Sequence, residues 1–172
     1  MIARGDLDGG LIGEGSFIEA VHGGIPIVAA AQLGHDRADA PNHAIVLRKG
    51  IVIRKPEDFA GLKLITRRAG PSDAVFLKEF LRQEGIPEKS VTIIDQVDND
   101  RMKPMLRKGE ADGAYMHLLA IDSLIRRKAV YVYRPMNWVN PEISLAVLVF
   151  RKDFLENNRG AVEKIVAGYM KR

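Results

Sequence analysis

The fold is indicated first by residues 108–116, which read Lys-Gly-Glu-Ala-Asp-Gly-Ala-Tyr-Met. Gly109 is the residue type that ends a helix, and the apolar residues that follow Gly113 favour a short buried strand. A similar stretch, Arg-Gly-Asp-Leu-Asp-Gly, stands at residues 4–9, so that Asp8 matches Asp112. Residues 44–49 and 146–152 form a second matched pair at nearly the same offset. Two matches at one offset predict two similar lobes.

Short β-branched segments alternate with helical patterns along the whole chain. This alternation is typical of an α/β protein with a mainly parallel sheet. The predicted strands are residues 8–12, 26–32, 44–48, 62–66, 91–96, 113–116, 129–133 and 143–150.

Helix boundaries are also marked in the sequence. Ser16 and Glu19 form a possible capping box, and Gly23 ends the predicted helix. Ser72 or Asp73 caps the next predicted helix. Pro104 is compatible with a helix only near its first turn, where its missing N–H group costs nothing.

Composition sets the limits on function. A chain of 172 residues with 47% hydrophobic and 28% charged residues is typical of a globular protein of one large domain or two small lobes. It contains no cysteine, which excludes disulfides, thiolate metal sites and cysteine nucleophiles. The net charge is +4, but the densest basic run, residues 126–128, stands near a predicted helix end, where basic residues favour the helix dipole. We therefore expect no nucleic-acid partner.

No pattern in the chain predicts an enzyme. The four histidines are scattered and form no metal-binding motif, and the glycines of residues 9–15 lack the order of a dinucleotide fingerprint. We therefore predict no catalytic residue, no metal ligand and no cofactor.

The loops between strands and helices are better candidates for ligand binding. Open α/β sheets bind ligands beyond the carboxyl ends of their strands, where glycines and helix N-termini expose N–H groups. The candidates are Gly13, Glu14, Gly15 and Ser16 in one loop, Gly70 to Asp73 in a second, and Tyr115 and His117 at a strand end. Asp73 argues against a simple anion, because its carboxylate competes for the same N–H groups.

Three segments together resemble a known family. They are residues 55–63 (KPEDFAGLK), 85–91 (GIPEKSV) and 106–113 (LRKGEADG). Their order and spacing resemble those of the solute-binding proteins of nitrate/sulfonate/taurine-type ABC importers, which include binders of thiamine-pyrimidine precursors. The resemblance covers most of the chain.

The resemblance implies a type II periplasmic binding protein fold, with two three-layer αβα lobes that close around a small molecule. It assigns residues 1–43 and 144–172 to a first lobe that lacks its N-terminal part, and residues 50–141 to a complete second lobe. Residues 44–49 and 142–150 are then the crossover strands between the lobes. At these crossovers His43 and Trp138 become further candidate ligand contacts.

The resemblance also implies a function, which is capture of a small organic or anionic solute for an ABC permease, or a truncated relic of that function. Two alternatives remain open: an effector-sensing domain of a regulator, and a thiamine-precursor enzyme of the same fold. The family works in the periplasm or at the outer membrane face, whereas this sequence, without an apolar leader, is expected in the cytoplasm as it stands. Because the first lobe is incomplete, we expect an exposed strand edge and a homodimer or higher oligomer.

Overall fold

A computed structural model describes the chain except for residues 38, 68–71, 142–143, 145 and 172. The described strands are β1 (Gly9–Ile12), β2 (Ile27–Gln32), β3 (His43–Arg48), β4 (Lys63–Arg67), β5 (Thr92–Val97), β6 (Gly113–His117), β7 (Val130–Pro135) and β8 (Val147–Arg151). The described helices are α1 (Glu14–His22), α2 (Ser72–Gln83), α3 (Asn99–Lys108), α4 (Leu118–Arg126), α5 (Met136–Val139), α6 (Lys152–Asn157) and α7 (Arg159–Met170). Each predicted strand is present, with ends that differ by a few residues.

The chain divides into two compact units. Unit 1 consists of Met1–His35 and Ser144–Arg172, and unit 2 consists of Asp36–Ile143. The predicted crossover segments contain β3, which pairs within unit 2, and β8, which pairs within unit 1. Their role as hinges, and the assignment of the units to two lobes, stay predictions.

Unit 2 contains a five-stranded sheet in the order β5-β4-β6-β3-β7. β4 runs parallel to β5 and to β6, whereas β3 runs antiparallel to both of its neighbours, β6 and β7. The prediction of a mainly parallel sheet is therefore wrong, because four of the six pairings described in the chain are antiparallel. The alternation of strands and helices detects the βαβ units but not a strand that is inserted in the opposite direction.

Helices cover both faces of this sheet. Alternate residues of each strand point to opposite faces, so that β3 contributes Val46 to one core and Ile45 and Leu47 to the other. The first core is completed by residues of α3 and α4, and the second by residues of α2 and α5. Unit 2 is thus the predicted three-layer αβα arrangement.

Unit 1 contains an antiparallel sheet in the order β1-β8-β2. Its central strand, β8, buries Leu148 and Phe150 against Val162 of α7, with side chains of α6 packed at the margin. α1 also packs near β2.

The predicted internal repeat is confirmed by matching hydrogen bonds. The backbone N–H of Arg48 donates to the carbonyl oxygen of Asp112, and the N–H of Arg151 donates to that of Asp8, both at 2.8 Å. Each arginine side chain also lies near the matching carboxylate, at 3.1 Å for Asp112 and 3.9 Å for Asp8. The two similar sequences therefore build the same strand junction, once in each unit.

Two predicted helix signals are wrong. α1 begins at Glu14 after the extended residue Gly13, whose carbonyl accepts the N–H of Phe17, so Ser16 lies inside the helix instead of capping it. The Ser–Glu spacing alone does not determine where the helix begins, and here the first turn starts two residues before Ser16. Pro104 is the sixth residue of α3 and so lies beyond the first turn. The predicted helix ends at Gly23 and Gly109 are confirmed.

No helix within the described ranges is both long and apolar enough to cross a membrane.

Candidate ligand-binding site

The topology of unit 2 brings several polar residues to one edge of its sheet, by which we mean the side where the strands β4 and β6 end. β4 and β6 are parallel, so Arg67 and His117, their last residues, lie at the same edge. β3 runs in the opposite direction, so its first residue, His43, lies at this edge and pairs with His117. α2 and α4 begin just after β4 and β6. This is the edge at which open α/β sheets bind ligands.

Aromatic rings form the centre of the site. His43 stacks on Tyr115 with ring centroids 5.7 Å apart and an angle of 12° between the ring planes. The ring centroids of His117 and His43 lie 4.8 Å apart in a T-shaped arrangement, and those of Phe76, in α2, and Tyr115 lie 6.1 Å apart. Tyr115 is only 2% exposed, so it supports His43 from within the core. Burial, with the negative charge of Asp73, raises the pKa of Tyr115, which keeps the phenol neutral.

An ion pair lies beside these rings. The guanidinium of Arg67 donates to both carboxylate oxygens of Asp73, from Nε at 2.6 Å and from Nη2 at 2.9 Å. The Asp73 side chain is 4% exposed and that of Arg67 is 21% exposed. This two-point geometry is the strongest form of an arginine–carboxylate contact, and the hydrogen bond to Asp73 raises the pKa of Arg67.

A second carboxylate, that of Asp36, contacts both the backbone and the ring of His43. Asp36 is 2% exposed, and its two oxygens accept the backbone N–H groups of Asn42 at 2.6 Å and His43 at 3.0 Å. Its Oδ2 also lies 3.6 Å from Nδ1 of His43. Asp36 therefore fixes the start of β3 and the position of the His43 ring.

Both histidines of the site are neutral near pH 7. Burial lowers the pKa of His43 to about 4, and the positive charge of Arg67 acts in the same direction, against the opposing effect of Asp36. Burial and Arg67 also lower the pKa of His117. The site thus presents imidazole rings rather than imidazolium cations.

The neighbours of each ring determine which nitrogen carries the proton. Nδ1 of His117 accepts the N–H of Leu119 at 3.2 Å, so Nε2 of His117 carries the proton and is a donor. The carboxylate of Asp36 near Nδ1 of His43 favours a proton on that atom, which leaves Nε2 of His43 as an acceptor. The two rings together offer one donor and one acceptor.

A further polar atom belongs to the same end of the sheet. β7 pairs with β3 so that Pro135 lies opposite Ala44, and α5 begins at the next residue. Within α5, Oδ1 of Asn137 is buried and has no hydrogen-bond partner among the described residues. A buried acceptor of this kind is unfavourable unless a ligand or water supplies a donor.

The structure brings together four of the predicted contacts, namely His43, Asp73, Tyr115 and His117. Gly70 and Pro71 lie outside the described residues, as does the side chain of Ser72. Trp138 makes ring contacts with Phe80 at 6.4 Å and with the guanidinium of Arg134 at 5.4 Å, away from the His43 ring contacts that the structure describes. Its role as a wall of the site stays a prediction.

The other predicted loop belongs to unit 1. Gly13 precedes α1, and Glu14, Gly15 and Ser16 form its first turn. The carboxylate of Glu14 accepts the backbone N–H of Ser144 at 2.9 Å, which gives that side chain a structural partner. Ligand binding by this loop stays a prediction.

Neither Arg67 nor Asp36 was predicted as a site residue from the sequence. The predicted strand stopped one residue before Arg67, and nothing local distinguishes this arginine from the other basic residues. The sequence feature that could have indicated Arg67 is a charged residue at the end of an apolar strand, with an acidic residue, Asp73, six positions later. No neighbouring residue marks Asp36 in the sequence, because its burial depends on its contact with His43, which begins β3 seven residues later.

Among the residues that the structure describes, no group of three His, Asp or Glu side chains could hold a metal ion.

Comparison with solved structures identifies the fold. The chain matches the periplasmic aliphatic sulphonate binding protein SsuA from Escherichia coli with a TM-score of 0.84 and 16% identity, over 99% of this chain and 56% of that one. It matches SsuA from Xanthomonas axonopodis bound to MOPS with a TM-score of 0.76 and 13% identity, over 98% and 55% of the two chains. It matches a periplasmic sulfonate-binding protein from Methylobacillus flagellatus with a TM-score of 0.76 and 22% identity, over 99% of this chain and 50% of that one.

The fold is therefore that of the type II periplasmic binding proteins, and the chain spans about half the length of these structures. A family model described as NMT1/THI5 like matches residues 1–171, so the chain belongs to that family. No curated protein matches the chain.

Proposed function

We propose that this chain is the solute-binding part of an ABC-type import system and captures a small organic solute at the end of the unit 2 sheet. Membership of the family and the likeness to sulfonate-binding proteins support this proposal. One observation carries it, which is the convergence of His43, Arg67 and His117 at the edge where β4 and β6 end.

The chemistry of the site fits capture better than catalysis. His43 and His117 are neutral, and they supply one acceptor and one donor. Arg67 and Asp73 satisfy each other, and Tyr115 is held neutral in the core. Such groups orient a solute by hydrogen bonds and ring contacts, and none is paired as a nucleophile with its base.

The proposal extends to partners and place of action. The solute is released to an ABC permease, as for the binding proteins of importers, and capture takes place on the outer side of the membrane. The glycine loop of unit 1, Gly13 to Ser16, is proposed as a further ligand-contact segment.

The histidines provide a direct test. The chain has only four, of which His43 and His117 lie in the site and His22 ends α1 in unit 1. A thermal-shift screen of sulfonates, nitrate, amino-pyrimidines and aromatic acids selects solutes that raise the melting temperature, because a ligand that binds only the folded state stabilises it. NMR of the histidine rings then locates each bound solute.

We expect a bound solute to shift the ring signals of His43 and His117 and to leave those of His22 unchanged. The variant His117→Ala should weaken binding, and His22→Ala, its matched control, should not. A solute that binds tightly without any change at His43 or His117 would show that this edge of the sheet is not the site.

A further inference from the structure

The Arg67–Asp73 pair bears on which solutes the site accepts. A lone arginine at a strand end attracts anions, but here both oxygens of Asp73 are bound to the guanidinium, at 2.6 and 2.9 Å. The pair is mostly buried, with Asp73 4% exposed, so solvent screens it little. The positive charge of Arg67 is therefore already compensated before any solute arrives.

The other described groups near the Arg67–Asp73 pair add no positive charge to the site. Asp36 accepts two backbone N–H donors and adds a formal negative charge, and both histidines are neutral. Arg67, Asp73 and Asp36 together leave the described groups of the cluster with one net negative charge. Among the described groups, an anion at this end of the sheet is repelled by Asp36 and gains little from Arg67.

An anion could reach Arg67 only by displacing Asp73. That exchange leaves the Asp73 carboxylate buried and without its partner, which is unfavourable in a site of low exposure. An uncharged solute avoids this exchange, because it can use the acceptor of His43 and the donor of His117 and leave the ion pair intact.

We infer that Asp73 is a specificity-determining residue that makes this site favour uncharged polar solutes over anionic solutes of the same shape. The inference rests on the solute-binding function proposed above. It also separates this chain from the aliphatic sulphonate-binding and alkanesulfonate-binding proteins that share its fold.

The test uses pairs of compounds that differ in charge but hardly in shape. These are benzamide and benzoate, nicotinamide and nicotinate, and benzenesulfonamide and benzenesulfonate. Binding to the whole chain is measured at pH 7 by calorimetry, and the ring signals of His43 and His117 report whether the compound is in the site.

Four variants accompany the wild-type chain. Asp73→Asn removes the charge and keeps a hydrogen-bond acceptor for Arg67, and Asp73→Ser serves the same purpose if the asparagine variant does not fold. Asp73→Glu keeps the charge. Asp112→Asn is the matched control, because Asp112 also pairs with an arginine in unit 2, Arg48 at 3.1 Å, but precedes β6 and so lies at the opposite end of the sheet from His117.

We expect the wild-type chain to bind the uncharged member of a pair about tenfold more tightly than the anion, since like charges disfavour binding strongly in a buried site. Asp73→Asn should bring the two affinities to within about threefold, mainly by improving anion binding. Asp73→Glu and Asp112→Asn should keep the wild-type preference.

Two results would overturn the inference in different ways. If the wild-type chain binds the anions as tightly as the uncharged compounds, with shifts at His43 and His117, the inference fails and the proposed function stands. If no compound of these pairs or of the solute screen shifts either histidine, the proposed function fails and the inference fails with it.

Discussion

At the scale of single residues, His43 makes the stability of the chain depend on pH. Its pKa is about 4 in the folded chain, because of burial and the charge of Arg67, against about 6.5 in the unfolded chain. The unfolded state therefore binds more protons between these values, so the free energy of unfolding falls as the pH falls through this window. Arg67, Asp36, Asp73 and His117 are the charged or titratable groups that act on it.

We expect the His43 contribution to lower the free energy of unfolding by about 2 kcal/mol between pH 7 and pH 5. Urea unfolding at the two pH values measures this loss in the wild-type chain and in His43→Asn, which cannot take up the proton. His22→Asn, at the end of α1, is the control and should keep the wild-type dependence. An equal loss in His43→Asn and in the wild-type chain would contradict the lowered pKa.

From the sequence, a residue could be placed at this end of the sheet where its own segment determines its position, and its role in binding stays a prediction. Asp73, Tyr115 and His117 could be predicted because each stands where a strand ends or a helix begins. Arg67 and Asp36 were not predicted, because their roles come from contacts that the fold makes: Arg67 with Asp73, six residues later, and Asp36 with His43 at the start of β3.

At the scale of elements, the junction between β3 and β6 requires a glycine at position 113. A Cβ atom there would lie 2.7 Å from the carbonyl oxygen of Val46 and 2.7 Å from Cδ2 of Leu47. The carbonyl belongs to the paired strand and cannot move aside without breaking the register. Gly113→Ala should therefore lower the free energy of unfolding by about 2 kcal/mol or more.

The matched variant is Gly9→Ala, because Gly9 holds the equivalent place in β1 and its Cβ would lie 2.6 Å from the carbonyl oxygen of Val149. It should be similarly destabilising. Gly168→Ala, in α7 with nothing within 4 Å of the added Cβ, should leave stability unchanged or raise it by up to about 1 kcal/mol. Denaturant unfolding compares the three, and a tolerated Gly113→Ala would show that the junction is not closely packed.

Prediction from sequence was better for the existence of elements than for their pairing. Apolar segments and glycines mark each strand locally, and all eight predicted strands are present. The direction of β3 is not a local property, since its partners β6 and β7 are more than 60 residues away along the chain. That is why the sheet was predicted as mainly parallel.

At the scale of the whole molecule, unit 2 should fold without unit 1. Among the residues that the structure describes, both cores that cover its sheet are built from residues between Ala44 and Val139. A fragment of residues 36–143 should therefore unfold cooperatively on heating, as followed by circular dichroism, and keep the contact between His43 and His117. The shorter fragment 50–141 lacks β3, an interior strand of the sheet, and should not fold. Cooperative unfolding of both fragments would show that β3 is dispensable.

Unit 1 should instead drive self-association. β1 and β2 each pair only with β8 among the described residues, so each leaves one unpaired edge. Beside β2, a surface cavity of about 720 Å³ is lined by Ala30 and by residues of α6 and α7, of which Leu155, Val162, Val166 and Ala167 are apolar and Glu156, Arg159 and Glu163 are charged. Unpaired edges next to apolar surface favour pairing with a second copy of the chain.

We therefore expect light scattering at micromolar concentration to give the mass of a dimer or a larger oligomer for the whole chain. The fragment of residues 36–143, which lacks β1, β2 and the cavity beside β2, should be monomeric. Ala29→Lys places a charge on the exposed edge of β2 and should shift the whole chain towards the monomer, because a lysine on an edge strand opposes pairing. Val75→Lys, which adds the same charge to an exposed position of α2 in unit 2, should not. A whole chain that stays monomeric and well folded at every concentration would mean that these edges do not pair.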